Sequence, residues 1–95
     1  MSVRAYRVNA NWRDTVSSFN LTHHQAIMDW LEHKTEFLDC LNIDACGLTE
    51  VSVPDLKRMV KKLAKKVDAN AIAKIKDDIT YAEAQGRDWV EYYCR

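Results

Sequence analysis

The chain has 95 residues and a mass of 11.0 kDa, with fourteen basic and fourteen acidic side chains, 47% hydrophobic residues, two glycines and one proline. That length supports one buried core and not two, so residues 1–95 read as a single domain. The balanced charge offers no general attraction to nucleic acid or a membrane surface, the apolar content excludes a disordered chain, and no stretch nears the roughly 18 apolar residues of a membrane span.

The opening residues lack the apolar run of a secretory signal. Cys40, Cys46 and Cys94 are odd in number and widely spaced, unlike a secreted disulfide framework. A soluble protein of the reducing cytoplasm is expected, where the Asn20-Leu21-Thr22 sequon has no meaning.

Val3 to Val8 alternates as a strand, with Tyr6 and Val8 on one face and Val3 and Ala5 on the other. Asn9 to Asn20 shows no period and reads as a loop, with room for a helical turn around Trp12 to Val16. Thr22 then opens a helix: its hydroxyl and Gln25 form a capping box, and Leu21 can staple onto Ala26. Ile27, Trp30, Leu31, Lys34, Leu38 and Leu41 carry the stripe to an end near Asn42.

Gly47 to Val53 alternates again, with Thr49, Val51 and Val53 sharing a face. Ser52, Pro54 and Asp55 start a second helix, whose stripe is Leu56, Met59, Val60, Leu63 and Val67. A third helix spans about Asn70 to Gln85 on Ile72, Ile75, Ile79 and Ala82, and Gly86 sits at its left-handed cap. Trp89 to Cys94 is the last strand, with Val90, Tyr92 and Cys94 on one face and Trp89, Glu91 and Tyr93 on the other. The expected class is α+β: a small three-stranded, mainly antiparallel sheet, three helices packed on one face, order β-α-β-α-α-β, with the terminal strands adjacent.

The segments Ser2-Val-Arg-Ala-Tyr6, Ser18-Phe-Asn-Leu21 with His23, Cys46-Gly-Leu-Thr-Glu-Val-Ser-Val53 with Asp55-Leu56, and Tyr92-Tyr-Cys94 resemble a group of small bacterial and phage proteins of no established activity. The resemblance spans nearly the whole chain. It implies a stand-alone domain in a phage or mobile-element setting and supplies no catalytic residue.

Charge is segregated along the chain. Asp29 to Asp55 holds seven acids and one base, Lys34; Lys57, Arg58, Lys61, Lys62, Lys65 and Lys66 follow without an acid among them. On a helix these cations line the face opposite the apolar stripe, either as a solvated surface or as a footprint for phosphate or an acidic protein. Asp29, Glu32, Glu36 and Asp39 lie along the outer side of the first helix, where they can remain solvated or meet that lysine face in a second copy.

Nothing in the sequence assembles a catalytic centre. The histidines and cysteines lack zinc-ligand spacing, Asp77 and Asp78 diverge by about 100° on a helix, and both glycines are explained by turns. No metal and no cofactor is expected, and Cys40 and Cys94 read as small core residues.

Trp12, Trp89 and Tyr93 do not fit an interior. Either they form an exposed aromatic patch, or the loop from Asn9 to Asn20 folds over them with Trp12 as its plug. The expected function is a non-enzymatic protein-interaction module using Trp12, Trp89 and Tyr93, its partner a host protein, another protein or a second copy. The alternative is a nucleic-acid-binding accessory protein using the basic helix.

Overall fold

The computed structural model describes residues 3–95; Ser2, which opens the first of the resembling segments, lies outside the described residues. The sheet is built around β1 (Arg4–Asn9). On one side β1 pairs antiparallel with β5 (Trp89–Cys94), in the register Ala5↔Cys94, Tyr6↔Tyr93, Arg7↔Tyr92. On the other side the chain doubles back through Ala10 and Asn11, forming β2 (Trp12–Arg13) against Val8 and Asn9 and then β3 (Phe19–Asn20) against Arg4 and Ala5. Asn9 Oδ1 holds that turn by accepting from the backbone N–H groups of Asn11 (2.9 Å) and Trp12 (3.0 Å). β5 pairs along its full length with β4 (Gly47–Ser52).

The sheet is therefore antiparallel and five-stranded, in the order β2-β1-β5-β4 with β3 also on β1. The expectation of three strands is corrected. So is the order β-α-β-α-α-β, because the stretch expected to be a loop or helical turn contributes two strands before the first helix. Each is two residues long, too short to display a period of two. The adjacency of the terminal strands holds.

The first helix is shorter than expected. α1 runs Gln25–Lys34, and the Thr22 capping box does not form. Thr22 Oγ1 instead accepts from Val3 N–H (3.1 Å), and Asn20 Oδ1 takes the Thr22 and His23 N–H groups. At the other end Thr35 turns extended: its hydroxyl donates to Leu31 O (2.7 Å) and accepts from Phe37 N–H (3.1 Å). A 3-10 turn, Phe37–Cys40, then drives Phe37 into the core in place of the expected stripe.

α2 (Val53–Leu63) starts as expected, with Ser52 Oγ accepting from Asp55 N–H (3.1 Å) and Pro54 in the first turn. It stops at Leu63, so Lys65 and Lys66 lie in the following turn rather than on the helix. α3 (Ala69–Ala84) is capped by the Asp68 carboxylate and closed at Gly86, whose φ of 70° is the left-handed value expected there.

The helices pack on the inner face of the sheet. Ala5, Val51, Val90, Tyr92 and Cys94 meet Ile27, Leu31, Leu56, Met59, Ile75 and Ile79 in one contiguous core. Phe19, Phe37 and Tyr92 form an aromatic triangle at its centre, with ring centroids 5.3–6.0 Å apart. Thr49 Oγ1 donates to Phe37 O (2.6 Å) and ties the 3-10 turn to β4.

Candidate functional site

The alternation that aims Tyr92 and Val90 inward aims Trp89, Glu91 and Tyr93 outward, and no helix covers that side. Leu48 and Glu50 extend the surface along β4, and Tyr6 and Val8 along β1. The result is an open sheet face whose large apolar members remain in contact with solvent: Trp12 is 51% exposed, Leu48 46% and Trp89 44%.

The two sequence readings of the aromatics both hold in part. The returning chain does fold over this face, placing the Trp12 ring 5.0 Å from Tyr93 and the Arg13 guanidinium 4.1 Å above the Tyr6 ring. It buries neither Trp12 nor Trp89. Trp12 is also held at φ 152°, outside the range ordinary residues adopt, and such backbone cost persists where the surroundings impose it. Trp89 sits apart from the Trp12–Tyr93 pair, beside the register position Glu50↔Glu91.

That position places two carboxylates directly opposite each other on the open face, with Cβ atoms about 5 Å apart. No cation pairs with either among the described residues. Like charges so arranged oppose strand pairing, so the fold gains nothing from them.

The basic segment is less free than its sequence implies. Lys57 pairs with Glu83 (2.8 Å) and Arg58 with Asp55, which among the described residues leaves Lys61, Lys62, Lys65 and Lys66 without an ion-pair partner. Beside them Trp30, Lys34, Asp55, Arg58 and Lys62 line an open groove between α1 and α2. The acidic face of the first helix is corrected: only Asp29 and Glu32 lie on α1, Asp29 accepts from Gln25 Nε2 (2.8 Å), and Glu36 and Asp39 fall beyond the helix end.

The polar cluster that sequence reasoning missed lies on the inner side. Asp78 is fully buried on α3 and accepts from four side chains: Arg7 Nη1 (3.2 Å), Ser18 Oγ (2.5 Å), Lys74 Nζ (2.7 Å) and Tyr92 OH (2.7 Å). Asp14 bridges Arg7 (3.2 Å) and Lys74 (2.9 Å), and Asp77 takes Arg7 Nη1 (3.0 Å). Asp77 and Asp78 therefore do converge, on one guanidinium, which also lies 4.3 Å from the Tyr81 ring.

Burial and the Asp78 carboxylate push the Tyr92 hydroxyl well above its usual range, so it remains a donor. The Lys74 hydrogen bond holds Asp14 below the usual carboxylate range, with the Lys74 and Arg7 charges acting in the same direction. Two cations answer three carboxylates, and Ser18 has its hydroxyl committed to Asp78. The cluster pins β1, β5, α3 and the β2–β3 connection together. The legible signal was an acid on the apolar stripe, at the spacing Ile75, Asp78, Ala82.

Among the described residues no three of His, Cys, Asp and Glu come together as metal ligands. Cys94 is buried as expected, and burial first, then Cys46, raises its thiol to about 12. Cys40 is exposed beyond the core, a correction that follows from the early end of α1. Among the described residues no helix is long and apolar enough to cross a membrane. Comparison with protein families, curated proteins and solved structures finds no match to this chain.

Proposed function

We propose that the protein is a non-enzymatic protein-binding module that presents the open face of its sheet. The observation that carries this reading is the placement of Trp12, Leu48, Trp89 and Tyr93 on a surface no helix covers, around an acid pair that no cation among the described residues answers. Exposed aromatics of this kind are the side chains that anchor protein interfaces. The inner cluster supports it by contrast, since Asp78, Ser18 and Lys74 are engaged with one another and Asp78 has no exposed atom to offer a substrate. The resemblance to small bacterial and phage proteins adds a setting for the module, a mobile element acting on a host or partner protein in the cytoplasm.

One observation favours a second reading. The groove of Trp30, Lys34, Arg58 and Lys62 combines a ring with cations, the pairing that single-stranded nucleic acid uses through stacking and phosphate contact.

A photo-crosslinking residue placed at Leu48 in one protein and at Lys62 in another separates the two. Protein adducts from position 48 and none from position 62 support the protein-binding reading. Nucleic-acid adducts from position 62, with position 48 silent, establish the other.

A further inference from the structure

Charge on the open face is ordered along the strands. At one end Arg4 and Arg95 face each other across β1 and β5, joined by mutual backbone hydrogen bonds of 2.8 and 3.0 Å. Next comes the apolar row Tyr6, Tyr93 and Leu48, and beyond it the acid pair Glu91 and Glu50. The outward row of β5 reads Trp89, Glu91 and Tyr93, and Arg95 follows just past the strand's end, so that Tyr93 lies midway between the acid Glu91 and the base Arg95.

We infer that this face is filled by a second copy of the chain, related by a twofold axis that lies in the interface, passes over Tyr93 and crosses the strands at right angles. The inference rests on the protein-binding reading and names the partner. A closed face-to-face pair of identical surfaces requires a twofold axis within the interface plane, and sheets packed with their strands aligned offer two choices. An axis along the strands sets Arg4 and Arg95 on their own copies and stacks four carboxylates together. An axis across the strands reverses the second sheet, brings Arg95 of each copy over Glu91 of the other, places Arg4 one strand away, and stacks Tyr93 on Tyr93. Only the second brings a cation to the acid pair, Arg95 directly over Glu91 and one strand away from Glu50.

The aromatic row fills the roughly 10 Å that separates packed sheets. Four strands about 4.8 Å apart, overlapping over the five residues centred on Tyr93 at about 3.4 Å each, give a flat footprint of about 330 Å². That falls short of the roughly 800 Å² per partner of a standard interface, which places the dimer among small, weak interfaces.

Sedimentation equilibrium up to several hundred micromolar tests this on three proteins: wild type, the pair Glu50→Arg with Glu91→Arg, and the pair Arg4→Glu with Arg95→Glu. Wild type is expected to approach twice its 11.0 kDa mass. Each double variant alone associates at least about tenfold more weakly, because its reversed end meets a like charge. An equimolar mixture of the two regains the wild-type affinity as a heterodimer, which also shows that both are folded.

A wild-type chain that stays at 11.0 kDa overturns the inference. So does a dimer that both variants form unchanged, or growth beyond two copies, the mark of a lysine helix docking on the acid pair in an open chain. A monomer that still crosslinks from position 48 to a different protein ends the self-association and leaves the protein-binding reading standing. A monomer without such adducts ends both.

Discussion

The two faces of one sheet treat the same residue types in opposite ways. On the inner face Tyr92 is buried, its ring packed on Phe19 and Phe37 and its hydroxyl given to Asp78. One residue along, on the outer face, Tyr93 touches Trp12 and stays partly in solvent. Carboxylates divide in the same way: Asp78 has four donors, while Glu50 and Glu91 face each other with no cation paired to them among the described residues. A buried polar group must be satisfied for the chain to fold, whereas an unanswered exposed pair persists only because the surrounding structure tolerates it. The inner face is built for stability and the outer face leaves its demands open.

The largest expected effect breaks the inner face. Asp78→Ala leaves the partly buried cations of Arg7 and Lys74 short of a partner and strands two buried hydroxyls, so urea unfolding should show a loss of about 3–5 kcal/mol. A loss under about 1 kcal/mol means the cluster is incidental to the fold.

The outer face should respond the other way. Trp12→Ala removes one ring contact and costs about 1 kcal/mol of folding stability, but an anchoring aromatic weakens association by about 2 kcal/mol or more. Trp12→Gly sharpens the comparison, since glycine accepts the φ of 152° and recovers part of the stability without recovering the binding. Paired urea and sedimentation measurements read both quantities, and equal losses in the two would erase the distinction between the faces.

The smallest effect is one of pH. The Asp14 carboxyl is held below its ordinary range when folded, so its contribution is complete above the unfolded value and is lost as pH falls through the folded one. Unfolding free energy should therefore decline below about pH 4, and Asp14→Asn should flatten part of that slope. A wild-type slope unchanged by Asp14→Asn removes this carboxyl from the account.

Much of this division was legible in the sequence, and the exceptions have physical reasons. β4, β5, most of α2 and the Gly86 cap were readable because alternation, an apolar stripe and a left-handed glycine are local signals, although the stripe ran on to Val67 and α2 ends at Leu63. The outward aim of Trp89 and Tyr93 came from the same alternation. α1 was overread because Leu38 and Leu41 continue a helical period past Thr35, although Lys34 and Thr35, the two positions that follow Leu31 on that face, are polar. Asp78 marked itself only as an acid on an apolar stripe, and its partners were hidden because they stand at positions 7, 14, 18, 74 and 92, which only the pairing of β1 with β5 and the packing of α3 bring together. Likewise the Glu50–Glu91 pair is a matter of register, which periodicity does not state.

The most direct test uses the three tryptophans as reporters, because two stand on the open face and the third, Trp30, stands in the groove between α1 and α2. The protein is labelled with fluorotryptophan, each resonance is assigned by substitution, and fluorine spectra are recorded as concentration rises. The account predicts that Trp12 and Trp89 shift together along one binding curve while Trp30 stays fixed. A Trp30 resonance that moves while Trp12 and Trp89 do not would contradict it and place the working surface on the helices.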